Sequence, residues 1–156
     1  MSIEKPNRKK HSYEQHLVAS PEKVFPLLCP VMEEKWVPGW RTEKVITKTG
    51  VVENDCMFIT PSESQNSIWI VTKHDPNSFQ LEMYKVTPEH TIGKLEISLT
   101  GAGNNATKAK ISYEFTAIGS AGEQFLQEFT HKWYVDFMEG WEKAMNHYLS
   151  TGKKLA

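Results

Sequence analysis

Between residues 42 and 118 apolar residues alternate with polar ones in short runs broken by turn-forming clusters, and beyond residue 120 they recur every third or fourth position. The first spacing is that of half-buried strands and the second that of an amphipathic helix. Ser120 to Gly152 reads as one long helix. Phe125, Phe129, Trp133, Phe137, Trp141 and Met145 recur every four residues, and Leu126, Met138, Tyr148 and Leu149 widen that row into a broad stripe. Ser120 and Glu123 have the spacing of a capping box, while Gly152 followed by Lys153 and Lys154 supplies the stop signal. Roughly 30 residues would span about 45 Å, enough to cross a small sheet.

Strands are expected at about 42–49, 54–60, 67–73, 78–86, 91–100 and 106–118, with an edge strand from His11 to Ala19. Turns fall at Gly50, Pro61 to Asn66, His74 to Asn77, Pro88 to His90 and Gly101 to Asn105. The last two strands alternate most cleanly. Leu95, Ile97 and Leu99 share one face, as do Ile111, Tyr113, Phe115 and Ala117, and the opposite faces carry lysine, glutamate and serine. One side of the sheet is therefore expected to be wet and the other buried. Ser20-Pro21-Glu22 starts a short helix that offers Val24, Phe25, Leu27 and Leu28 to the core, with a kink at Pro26. A second short helix runs from Pro30 to about Trp36, ahead of the Pro38-Gly39 turn. The order is strand, two short helices, six strands, long helix: an α+β chain whose single antiparallel sheet is covered by that helix.

At 156 residues the chain suits one domain, residues 1–156 with a core of about 8–152, and no repeat or linker divides it. A net charge of -1 gives no general attraction for nucleic acid or anionic membrane, so neither is an expected partner. No segment is apolar enough to insert stably in a bilayer, and the basic opening (Lys5, Arg8, Lys9, Lys10) reads as a solvated arm. Cys29 and Cys56 match neither a disulfide framework nor a zinc motif, which places the protein by expectation in the reducing cytoplasm.

The element order, the Ser20-to-Pro30 stretch, the Trp36-Val-Pro-Gly-Trp40 segment and the terminal aromatic helix together resemble the START-like, or Bet v 1-like, superfamily, which includes polyketide cyclases and lipid-transport proteins. The resemblance implies a helix-grip fold, in which a seven-stranded curved antiparallel sheet wraps a long C-terminal helix, with two short helices after strand 1 and a cavity between. It carries over no catalytic motif. Its members include carriers, cyclases or dehydratases and a chaperone activator, so three functions stay open: binding or transport of a small hydrophobic ligand, a cyclase-like enzyme, and a protein-interaction module.

Candidate ligand-binding residues are Trp36, Trp40, Phe58, Trp69, Tyr84, Tyr113, Phe115, Trp133, Phe137 and Trp141, with Arg41 as a partner for a ligand carboxylate. The same aromatics would equally fill a solid core. For an enzyme, Tyr84, Tyr113 or Arg41 would move protons, and no catalytic residue is otherwise assigned. His11 and His16 are five apart and point to opposite faces of a strand, no His-Glu-x-x-His pattern occurs, and no metal or cofactor is predicted. A buried ionisable group with a shifted pKa would favour the enzyme, an open apolar void without one the carrier, and a closed core with an exposed apolar patch the interaction module. Neither the ligand nor the oligomeric state follows from the chain alone.

Overall fold

The structure, a computed structural model, describes residues 1–62 and 65–156. Seven antiparallel strands form one sheet in the spatial order β1-β7-β6-β5-β4-β3-β2. They are β1 (Arg8–Leu17), β2 (Lys44–Ile46), β3 (Met57–Thr60), β4 (Ser67–Asp75), β5 (Gln80–Thr87), β6 (Thr91–Gly101) and β7 (Thr107–Ala117). The first strand begins inside the basic opening. Arg8, Lys9 and Lys10 pair with Thr116, Phe115 and Glu114, so the solvated-arm reading fails for these three residues. Strands β2 and β3 are shorter than expected, because Gly50 and Asp55 between them adopt left-handed φ values of 86° and 66° and turn the chain. The expected turn from Pro61 to Asn66 lies partly outside the described residues.

The inner face of the sheet is the core: Phe58, Trp69, Val71, Leu81, Met83, Leu95, Ile97, Leu99, Ala109, Ile111 and Phe115 are all buried. On the outer face, Lys94 bridges Glu82 and Glu96 at 3.7 and 3.8 Å, the solvated side that alternation predicts. Toward the other edge that expectation breaks down. Ile46, Met57, Ile70 and Tyr84 lie in register across four strands, as do Ile59, Ile68, Val86 and Ile92, and together they make the outer face apolar there.

Helix α1 (Pro21–Val24) tightens into a 3₁₀ turn at Phe25–Leu27, where Pro26 sits, and a second 3₁₀ turn follows at Met32–Lys35. Trp36, fully buried, ties the two together by donating from Nε1 to the Leu27 carbonyl at 2.9 Å.

The long C-terminal helix is two helices, α2 (Ser120–Glu128) and α3 (His131–Thr151). At 3.6 residues per turn a row spaced by four drifts about 40° per step, so Phe125 through Met145 could not all face one sheet. The chain resets its phase at Phe129, whose ψ of 67° is not helical, and Thr130 caps α3 by accepting from the Trp133 amide at 3.1 Å. The buried stripe of α3 is then Tyr134, Met138, Ala144 and Met145. The capping box is absent as well: Gly119 is the N-cap of α2, Ser120 is already helical, and no side-chain cap bond forms. Gly152 does close α3 at φ 70°, its amide bonded to the Tyr148 carbonyl.

Helix α3 lies along β1, the edge strand. Glu142 and Asn146 bond its free backbone groups, with Val18 N donating to Asn146 Oδ1 at 3.0 Å and Asn146 Nδ2 to the His16 carbonyl at 2.9 Å. Buried Gln15 adds a bond to the Met138 carbonyl at 3.0 Å, and Tyr134 Oη donates to the Ile111 carbonyl at 2.7 Å. Helix α2 starts hard against the β5–β6 turn. A Cβ on Gly122 would stand 1.8 Å from the His90 carbonyl oxygen, and one on Gly119 2.1 Å from that of Glu89.

Candidate ligand cleft

Because α3 turns Tyr134 and Met138 inward along β1, its neighbouring face looks across open space at the β4–β5 side of the sheet. A cleft of about 510 Å³ lies there, lined by Val37, Pro38, Gly39, Trp40, Trp69, Lys85, Tyr113, Asp136, Phe137, Gly140, Trp141 and Ala144. That size is within the range of small-molecule sites. A second depression, about 380 Å³, lies on the outer sheet face among solvated side chains such as Lys10, Lys73, Glu82 and Glu96.

Five of the expected site residues meet in the cleft: Trp40, Trp69, Tyr113, Phe137 and Trp141. Trp40 is fixed by its Nε1 bond to the Pro30 carbonyl at 2.9 Å, and Trp69 by one to Thr60 Oγ1 at 2.9 Å. Three more support the walls from behind. Trp36 packs edge-on against Trp141 with centroids 5.1 Å apart, Phe58 stacks on Trp69 at 5.3 Å, and Phe115 stacks on Tyr113 at 5.5 Å. Trp133 stacks on Phe137 at 5.4 Å but is 47% exposed, and Phe137 is 42% exposed, so these two form a lip rather than a core.

Two expected residues are elsewhere. Tyr84 belongs to the outer face, in register with Ile70 and Lys94, the ammonium of the latter lying 5.9 Å from its ring centroid. Arg41 points into solvent and pairs with Glu43 at 3.1 Å. Neither lines the cleft.

Two polar groups outside the expected set remain: Lys85, which lines the cleft, and Glu33, which does not. Lys85 stands opposite Trp69 in the register of β4 and β5, and its Nζ lies 5.1 Å from the Trp69 ring centroid. Alternation from Leu81 and Met83 would have put it on the inner face. Burial holds its pKa below the usual lysine range, and among the described residues no carboxylate pairs with it. Asp136, at the rim, is taken by Lys132 at 2.7 Å.

The second group is Glu33, on the 3₁₀ turn before Trp36. Its side chain is buried, makes no hydrogen bond among the described residues, and is pushed by desolvation to a pKa of about 8. Burial also raises the Tyr113 hydroxyl, and the nearby Glu33 carboxyl adds to that shift. His11, by contrast, is occupied structurally: its Nε2 bonds the Phe129 carbonyl at 2.9 Å, at the break between α2 and α3. The described residues contain no cluster of side chains able to hold a metal ion, and no helix is long and apolar enough to cross a membrane.

A curved sheet, a long C-terminal helix over its inner face, short helical turns after the first strand and a cleft between them constitute the START-like, Bet v 1-like fold. Several solved structures share it. Ara h 8.0201 superposes with a TM-score of 0.69 at 16% identity over 93% of this chain and 99% of its own. A START superfamily protein from Mycobacterium smegmatis gives 0.62 at 13% identity, covering 90% and 97%. Norcoclaurine synthase from Thalictrum flavum, in complex with dopamine and hydroxybenzaldehyde, gives 0.62 at 14% identity, covering 88% and 86%. No protein-family model and no curated protein matches the chain. At these identities the likeness is one of fold.

Proposed function

We propose that the cleft binds a small, largely apolar molecule between α3 and the inner sheet face. The observation that carries this reading is the cleft itself, about 510 Å³ walled by Trp40, Trp69, Tyr113, Phe137 and Trp141. Norcoclaurine synthase supports it by analogy, since the same fold holds two aromatic molecules there. Gly140 allows a direct test. It lines the cleft from within α3, and a Cβ added to it meets no atom within 4 Å. An uncharged solvatochromic dye such as Nile red is expected to bind the folded protein once per chain and to alter tryptophan fluorescence. Gly140→Leu should weaken that binding at least about tenfold while leaving stability equal or higher, because leucine is the better helix former by several tenths of a kcal/mol. Absence of saturable binding would overturn the proposal, as would unchanged binding to Gly140→Leu.

Glu33 favours a second reading, a cyclase-like or dehydratase-like enzyme. A carboxyl that keeps its proton near neutral pH and whose charge acts on the cleft tyrosine Tyr113 is suited to general acid work. Turnover of a bound carbonyl compound that falls away above about pH 8 and is abolished in Glu33→Gln would support it. The interaction-module reading has the apolar ladder on the outer face in its favour, with Ile46, Met57 and Ile68 between 41% and 57% exposed, but the open cleft argues against the closed core it requires.

A further inference from the structure

Lys85, unpaired among the described residues, narrows the ligand class, on the reading that the cleft binds a small molecule. We propose that the cleft selects an amphipathic monocarboxylic acid, its carboxylate bound by Lys85 Nζ and its ring or chain lying against Trp40, Trp69 and Trp141. Lys85 is the one cation among the described lining residues, and it is on the inner wall, not the rim. An ammonium partly withdrawn from water against one indole face, with no counter-ion among the described residues, has lost part of its hydration, and an incoming carboxylate compensates for that loss. Asp136 does not compete, being held by Lys132 at 2.7 Å on the solvent side.

The arrangement also says what does not fit. A phosphate dianion would bring two charges to a single cation in apolar walls, leaving one charge unpaired and desolvated. A wholly uncharged ligand would leave Lys85 as it is, uncompensated. Arg41, which the chain order offers as the carboxylate partner, is outside the cleft and already paired with Glu43. The selecting residue is therefore Lys85, with specificity set by one half-buried charge and size set by the tryptophans.

The experiment compares 6-phenylhexanoate with 6-phenylhexan-1-ol, which differ at the head group alone, by titration calorimetry at pH 7 on the wild-type protein and on Lys85→Met. Methionine keeps most of the side-chain volume and removes the charge. The wild type is expected to prefer the acid by about tenfold to a hundredfold, the range for a hydrogen bond to a charged group. Lys85→Met is expected to lose that preference while binding the alcohol within about threefold of wild type, which also shows that the variant is folded. Equal wild-type affinities for acid and alcohol would overturn the role of Lys85 and leave the cleft reading intact, and so would a preference that persists in Lys85→Met. Binding of neither compound would overturn both.

Discussion

Replacing Glu33 by glutamine tests the protein interior through the stability of the whole chain. The residue is 8% exposed, its carboxyl has no hydrogen-bond partner among the described residues, and its pKa is raised from 4.5 to about 8 by desolvation alone. A raised carboxyl means that the folded state holds its proton more tightly than the unfolded chain does. The stability this proton supplies is fully present below about pH 4.5 and is lost progressively as pH rises toward 8. At about 1.36 kcal/mol per unit, the loss is about 3 kcal/mol at pH 7 and levels off near 5 kcal/mol at pH 9. Against a total of about 5 to 15 kcal/mol, that is a decisive fraction. Glutamine has nearly the shape of the protonated acid and does not titrate. Urea unfolding of wild type and Glu33→Gln at pH 5, 7 and 9 should therefore show curves that nearly coincide at pH 5 and separate steadily, with the variant the more stable at pH 9. A difference that stayed constant with pH to within about 1 kcal/mol would mean that the carboxyl is hydrated or paired in solution, and the second functional reading would fall with it.

Other changes separate this structure from a continuous C-terminal helix. Thr130→Ala should cost about 0.5 to 2 kcal/mol in denaturant melts by removing the cap of α3, while Ser120→Ala, whose side chain caps nothing, should stay within about 0.5 kcal/mol. Trp133→Ala and Phe137→Ala should each cost less than the roughly 3 kcal/mol minimum of a buried aromatic truncation, because both are more than 40% exposed. Phe137→Ala should nonetheless weaken dye binding. Gly122→Ala should cost about 3 kcal/mol or more, or prevent soluble expression, since its methyl would collide with the His90 carbonyl 1.8 Å away.

The sheet was legible because a strand's period is two and any error of one residue exposes a whole row, so the buried residues of β6 and β7 could be read directly. The helix was harder. Its aromatic row looked continuous because recurrence every four residues resembles a helical face over two turns and departs from it only over five. The drift is what Thr130 corrects, and the sequence carried that signal as a lone N-cap residue followed three positions later by Trp133. Gly119 and Gly122 were invisible for another reason: their role is to let α2 approach a turn that is distant in sequence, and composition does not report such contacts.

The cleft follows from the same break. Had the row remained one face, Trp133 and Phe137 would have been driven into the sheet and the space before Trp69 filled. Rephasing at Phe129 instead gives Tyr134 and Met138 to β1, leaves Phe137, Gly140 and Trp141 facing the sheet across a gap, and lets Lys85 on β5 project into it. Five of the suspected aromatics line the cleft, while the charged residues that bear on it are a lysine in strand alternation, which lines it, and a glutamate on a 3₁₀ turn, whose charge reaches Tyr113. Charged residues are ordinarily read as surface. Their burial here is set by which face the strand and the turn present, so the informative question for Lys85 was not what kind of residue it is but which neighbours, Leu81 and Met83, share its side of the sheet.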